Sequence, residues 1–265
     1  MSIVILVGGR TNNGNPEHRF LVDQFLQAFP DEVKCIVTTN PVQRSLSEKI
    51  KRTLKRGGYL ERLRRSIYNR QNPGDDSKLG ELLFPHGDPS HMPGGERVTL
   101  VDSHNSQECV ALLQKIQPKV IVVYGTVIIR DHIAVLAKKC TLNMHTGLSP
   151  YYRGDSTLFW PVYYNQKDKL GVTVHELIAE VDGGGIVSTG TVNYEKGDTE
   201  AHIFAKGVRT GTALYIDAVR AALNDSIVFH EQDLSLGQEF RWIHRTVAAE
   251  KQVKRNLDIW AKETN

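Results

Sequence analysis

Apolar residues along this chain alternate between short continuous runs and stripes of helical spacing. The run IVILV, Ile3 to Val7, ends in glycines, as a strand buried on both faces of a parallel sheet does. A helical stripe follows, with Phe20, Phe25, Leu26 and Phe29 on its core side, and then a second run, VKCIVTT. Leu46, Ile50, Leu54, Leu60, Leu63 and Ile67 recur at helical spacing and predict a helical pair with a core side. The stretch from Asn72 to Glu96, rich in Gly, Pro and Asp, reads as loop. RVTLVD, KVIVVYG and CTLNMH predict the third, fourth and fifth strands. Between them lie a helix over SQECVALLQKIQ, capped by Ser106, and a short helix over RDHIAVLAKK.

Strands alternating with helices imply βαβ crossovers, hence an α/β, Rossmann-like, mostly parallel sheet. Ligands of such sheets sit at the carboxyl ends of the strands. Three segments meet there: GGR after the first strand, GTVII after the fourth, and Asn143 with His145 closing the fifth. Further on, TLFWPVYYN reads as a helix interrupted by Pro161, and GVTVHELI alternates like a strand with an exposed face. GGGIVSTGTVNY reads as its partner, and a long helix starts near Thr199. These patterns predict a main domain over 1–207 and a short, mixed and mainly helical extension over 208–265. Phe240, Trp242, Ile243 and Trp260 of the extension could dock on the body or on a second copy, so a homodimer stays open.

Charge changes this picture in one place. The net charge of +3 is slight, but positions 44 to 70 hold ten Lys and Arg against Glu48 and Glu61, leaving the remainder mildly acidic. The segment reads as a solvated helix face, with a phosphate- or nucleic-acid-facing patch as the functional alternative. Cys35, Cys109 and Cys140 are scattered, which points to a reducing cytoplasm and away from a disulfide scaffold or zinc site. No stretch has the length of a membrane span and the start lacks signal-peptide features, so a cytoplasmic chain with no membrane contact is expected. FPHGDPSHMPGG, with His86, Asp88 and His91, reads as an exposed polar loop rather than a metal site.

Two stretches carry chemistry. LNMHTGLSPYYRG places Asn143 and His145 at a strand end before an abrupt turn, and AEVDGGGIV sets Asp182 before three glycines between two strands. Each alone is ordinary turn chemistry. Together they form a plausible acyl-transfer set. His takes and returns a proton near neutral pH, Asp orients the ring, and an Asn amide donates to a developing oxyanion.

In combination, NMHTGLSPYYRG followed by GVTVHELIAEVDGGGIV resembles the folate-dependent formyltransferase family. The resemblance rests on the Asn-x-His turn ending at Pro150 to Gly154, the strand Gly171 to His175 and the turn Val181 to Gly184. It is clear from about Lys119 to Tyr194, and weak before Val98 and after Gly207. It implies Asn143, His145 and Asp182 as the catalytic trio and 10-formyltetrahydrofolate as donor, with no metal. It implies a folate pocket from backbone at Tyr124, Gly125, Thr126, Val127, Ile128 and Ile129, and at Glu180, Val181, Gly183 and Gly184.

The first-strand loop departs from the family's glycinamide ribonucleotide members. It reads GGRTNNGN, which is no dinucleotide fingerprint, although Gly8, Gly9 and Arg10 could cradle an acceptor's phosphate or sugar. HTGLSPYYRG is most similar to the sugar-nucleotide N-formyltransferases. That makes Tyr151, Tyr152 and Arg153 candidate acceptor contacts, with packing of the turn as the plainer role for the tyrosines. The expected partners are small molecules, a folate and a nucleotide-linked amino sugar, rather than nucleic acid. Formylation of another amine, or a non-catalytic folate-binding relative, are the alternatives.

Overall fold

The computed structural model of the chain describes residues 1–8, 14–39, 45–55, 58–71 and 78–263. Strand β1 (Ile3–Val7) is followed by helix α1 (Pro16–Ala28), β2 (Val33–Thr39) and the helices α2 (Leu46–Lys55) and α3 (Gly58–Gln71). A short α4 (Leu79–Leu83) precedes β3 (Val98–Val101), α5 (Gln107–Ile116), β4 (Val120–Tyr124), α6 (Asp131–Ala134) and β5 (Cys140–His145). Next come β6 (Tyr152–Gly154), α7 (Phe159–Tyr163), β7 (Gly171–Glu176) and β8 (Ile186–Thr191). The long α8 (Glu200–Leu223), β9 (Gln238–Phe240) and α9 (Val247–Glu263) follow.

The main sheet has the order β3-β2-β1-β4-β5-β7-β8, parallel as far as β5 and antiparallel at β5–β7 and β7–β8. This is the expected mostly parallel α/β architecture. Strand order reverses between β1 and β4, which opens a crevice beside β5. Side-chain alternation splits the core into two layers. Ile3, Ile5, Val7, Val122, Leu142 and Met144 pack on α1 and α8, while Val4, Leu6, Ile121 and Val123 pack on α5 and α6. Ser106 caps α5, accepting from the Cys109 N–H at 3.3 Å.

Several expectations are corrected. The polar stretch contains α4, which buries Leu83 against Phe20 and Val208. Asp88, from the loop weighed as a metal site, instead receives Arg19 Nε at 2.9 Å and a second guanidinium nitrogen at 2.5 Å. Pro161 does not interrupt α7; it lies in the first turn, where its missing N–H would have had no partner. β7 is buried on both faces because α8 covers Val172 and Val174, while the turn after β5 covers Gly171 and Thr173. Of the aliphatic stripe on α2 and α3, Leu46, Ile50, Leu60, Leu63 and Ile67 are exposed to solvent, and the side chain of Leu54 lies outside the described residues.

The boundary expected at position 207 lies inside α8, which runs unbroken beneath β5, β7 and β8. The extension is mixed, as expected: beside its helices it contains β9, which pairs in parallel with β6. Phe240 and Trp260 are buried in a cluster with Tyr152, Phe159, Trp160, Leu170 and Val172, so they dock on the chain's own body, while Ile243 is exposed. Arg245, two residues before α9, bonds Glu250 of α9 and Glu200 of α8, tying the starts of the two helices together.

Tyr215 of α8 reaches the end of the β4–β5 ladder. Its hydroxyl accepts the Val123 N–H at 2.8 Å and donates to Leu142 O at 2.5 Å, one residue before Asn143. Tyr215→Phe leaves both backbone groups buried without that partner. It is expected to lower unfolding free energy by about 1–3 kcal/mol, read as a lower urea midpoint at unchanged slope.

Candidate active site

Residues two apart on a strand share a face, so Asn143 and His145 project together from the end of β5. The antiparallel register sets Asn143 opposite His175 and His145 opposite Thr173, which adds their side chains to that face. Thr173 pins the following turn: its hydroxyl donates to Gly147 O at 2.8 Å and accepts the Ser149 N–H at 3.0 Å. Asp182 arrives over these side chains from the β7–β8 turn. It holds a left-handed φ of 48°, which Asp adopts more readily than most residues. Gly184 of the same turn lies against β7, since a Cβ there would come 2.0 Å from Glu176 O.

The polar contacts form a closed set. Asp182 Oδ2 accepts the Gly154 N–H at 2.8 Å and lies 3.3 Å from His145 Nδ1, while Oδ1 lies 3.4 Å from His175 Nε2. His145 Nε2 is 2.7 Å from Tyr152 O; a carbonyl only accepts, so Nε2 carries the proton there. Nδ1 is then the atom left to exchange a proton with Asp182 or a ligand. By the same reasoning His175 donates Nδ1–H to Glu176 O at 2.7 Å, and its Nε2, 3.1 Å from the Asn143 amide and 3.4 Å from Asp182 Oδ1, accepts from the amide when the ring is neutral and donates to the carboxylate when it is protonated. His145 and His175 are buried, while Asn143 stays partly accessible.

Burial by itself would raise the Asp182 carboxyl, but the charge of His145, the bond and charge of His175 and the Gly154 N–H overcome it. They hold it well below the usual carboxylate range. A depressed native value stabilises the fold above the unfolded carboxyl's titration near pH ~3.9, and this stabilisation is lost as pH falls below it. Acid titration of the thermal midpoint should therefore fall more steeply for the native chain than for Asp182→Asn below about pH 4, with parallel curves above it.

The stretch Tyr151–Gly154 acts as a clasp. Through β6 it offers Tyr152 O to His145 and Gly154 N to Asp182, and β9 holds it from the other side. Tyr152, expected as an acceptor contact, is instead core: its ring stacks on Phe240 and its hydroxyl meets Gln166 at 2.5 Å. Burial pushes that hydroxyl up to about 12. Tyr151 packs under Lys169, whose ammonium lies 3.7 Å from the ring centroid. Arg153 is buried beside the Asp182 turn, 3.4 Å from Val181 O and 3.8 Å from Glu180, and its Nε has no partner among the described residues.

The fourth-strand end is mixed. Tyr124 and Ile129 are buried, the Tyr124 ring packing edge-on against His18, whereas Val127 and Ile128 are exposed apolar residues. Asn105 fixes this loop by donating to Ile128 O at 2.9 Å and accepting the Arg130 N–H at 2.8 Å. Gly8 is spent on fold: its N–H donates to Tyr124 O, and a Cβ there would meet Gly125 O at 1.9 Å. Gly9 and Arg10 lie outside the described residues. Burial pushes the Cys109 and Cys140 thiols up to about 11, so they serve packing and not nucleophilic chemistry.

Sequence reasoning quoted His175 within a motif but assigned it no role. It missed Asn105 and Gln232, whose amide donates to Asp182 O at 2.9 Å and Gly184 O at 2.5 Å. No local pattern marks these two, because their partners lie far along the chain.

Residues 86–219 match the family model described as formyl transferase. A methionyl-tRNA formyltransferase of Thermotoga neapolitana is 28% identical over 134 residues, which is 50% of this chain and 42% of that protein. The chain likewise spans less than two thirds of the length of other curated relatives that it matches, among them a methionyl-tRNA formyltransferase of Lactobacillus johnsonii, of which it covers 56%. Among solved structures, a sugar N-formyltransferase of a Shewanella species superposes with TM-score 0.58 at 15% identity, covering 97% of this chain and 88% of that one. An N-formyltransferase of Helicobacter canadensis, in complex with folinic acid and dTDP-3-aminofucose, gives 0.54 at 16%, covering 91% and 71%. At these identities the likeness is one of fold.

Proposed function

The chain belongs to the formyl transferase family, and from that premise we propose that it moves the formyl group of 10-formyltetrahydrofolate onto the amine of a nucleotide-linked amino sugar. The observation that carries the transfer reading is the meeting of Asn143, His145 and Asp182 at one strand end. The residues present fit the donor. The exposed Val127 and Ile128 offer an apolar wall, and the turn over Glu180, Val181, Gly183 and Gly184 brings main chain close to where a flat pterin edge would lie. When bound, the donor supplies an activated formyl carbon, which gains a bond to the amine and loses its bond to the folate nitrogen.

The chain's own groups divide the remaining work. Asn143, oriented by His175, donates its amide to the formyl oxygen as negative charge builds there. His145 Nδ1 accepts the proton that the amine sheds and returns it to the folate nitrogen that leaves, while the ionised Asp182 orients the ring and stabilises its charged form. The rest of the acceleration comes from holding two substrates in register. Arg153, buried with Nε unpartnered, suits a phosphate oxygen of the acceptor. For the sugar-nucleotide acceptor, the support is the HTGLSPYYRG turn together with a fold shared with sugar N-formyltransferases.

The test is mass spectrometry after incubation with 10-formyltetrahydrofolate and a panel of nucleotide-linked amino sugars, with glycinamide ribonucleotide and methionyl-tRNA alongside. One amino-sugar nucleotide gaining a formyl mass is the expected result. Formylation of methionyl-tRNA or the ribonucleotide alone would keep the transfer and overturn the acceptor. No formylation of anything by a folate-bound chain would overturn the transfer itself.

A further inference from the structure

The helices α2 and α3 carry the largest feature that the proposed reaction does not use. One side of α3 is fastened to the body. Arg65 meets Glu250 at 3.1 Å and lies 4.9 Å from the Trp242 ring centroid, and Glu61 accepts the Val247 N–H at 2.9 Å. Helical spacing puts Leu60, Leu63 and Ile67 on a different side of α3. These three are 72%, 59% and 48% exposed, and Leu46 and Ile50 of α2 are 77% and 48% exposed. By helical spacing Arg64 and Arg70 flank the stripe of α3, and Lys51 and Arg62 are exposed as well, in a segment with ten Lys and Arg against two Glu. The sequence pattern promised this stripe a core; the fold leaves it in water.

Charge decides what covers such a stripe. A second copy docking by two-fold symmetry would bring the same cations face to face. A nucleic acid would neutralise the cations but gain little from leucine and isoleucine, since bases stack on aromatic rings and guanidinium planes. The surface of an anionic bilayer accepts both features. Aliphatic side chains enter the acyl boundary while Lys and Arg remain among the headgroups. No helix of the described chain is long and apolar enough to cross a membrane, so the contact lies in the plane of the surface.

We infer that α2 and α3 dock this chain on an anionic lipid surface, with Leu46, Ile50, Leu60, Leu63 and Ile67 entering it and the surrounding cations holding the headgroups. This departs from the expectation of no membrane contact, and it stands independently of the acceptor's identity.

Co-sedimentation of the intact chain tests it, using vesicles of equal parts phosphatidylglycerol and phosphatidylcholine against phosphatidylcholine alone. Partition onto the anionic vesicles should be at least about tenfold greater and should weaken with salt. Leu60→Gln, Leu63→Gln and Ile67→Gln together should lower it about tenfold or more, as should Arg62→Gln, Arg64→Gln and Arg70→Gln together. All six side chains are exposed and Gln keeps helix propensity, so circular dichroism and thermal midpoint should stay unchanged in both variants. Equal partition onto neutral vesicles, or none onto anionic ones, overturns the inference. An apolar variant that binds anionic vesicles like the native chain also overturns it, reducing the face to a cationic patch of the kind RNA takes. Dimerisation that the apolar variant abolishes, without vesicle binding, assigns the face to a second copy instead.

Discussion

His145→Asn is expected to lower kcat by about two to four orders of magnitude while leaving the KM for the folate within about threefold. Asparagine keeps a polar amide at the end of β5 but is too short to reach Tyr152 O, so the clasp loses that one bond. What disappears is Nδ1, the ring atom 3.3 Å from Asp182 that can carry a proton between amine and leaving nitrogen. The loss therefore falls on the chemical step and spares binding. The measurement is steady-state kinetics with whichever acceptor the panel identifies, beside a circular dichroism control. A drop of less than about tenfold would remove His145 from proton transfer and leave the oxyanion contact of Asn143 to explain turnover.

Trp260→Ala is expected to cost about 3–5 kcal/mol of folding stability and to lower the thermal midpoint by about 10 °C. Trp260 is among the largest fully buried side chains, and its indole N–H donates to Asn165 Oδ1 at 2.5 Å. Its ring meets Tyr194 edge-on at 5.2 Å, and the Lys167 ammonium lies 5.2 Å from its centroid. Truncation opens a cavity where α9 meets α7 and orphans an amide oxygen. The effect should reach the site, because β9 and α9 belong to the cluster that holds Tyr152 and hence the clasp around His145. Denaturant titration checks the stability change. A loss below about 1 kcal/mol would make α9 a peripheral attachment and would detach it from the positioning of the site.

Much of the central sheet was legible from periodicity alone. The runs at Ile3, Val33, Val120 and Cys140 are nearly continuous because both faces of a parallel sheet are covered, and a helix could not keep such runs buried all round. Asn143 and His145 were legible for a related reason. Polar residues two apart at the end of a buried strand must share one face, and that end is where ligands approach. Asp182 was legible only through its motif, as a lone acid before glycines is ordinary turn chemistry.

Other features were legible in kind but not in partner. The aliphatic stripe of α2 and α3 correctly signals amphipathic helices, yet periodicity does not say whether protein, lipid or water covers the stripe. Alternation in GVTVHELI suggested an exposed face, but α8 covers one face of β7 and the turn after β5 covers the other, a consequence of distant segments rather than of β7 itself. Residues Gln238–Phe240 carry no strand signal of their own; they become β9 because β6, far back along the chain, offers them free backbone groups.

By itself, then, the sequence determined the α/β class, the helix caps and the residue types at the end of β5, because these follow from local periodicity and side-chain chemistry. Tertiary structure alone decided the register that sets His175 against Asn143, the closure of Tyr152 and Gly154 around His145 and Asp182, and the solvent exposure of α2 and α3. Each of these depends on which distant segments meet, and a contact between distant segments leaves no periodic trace in either one.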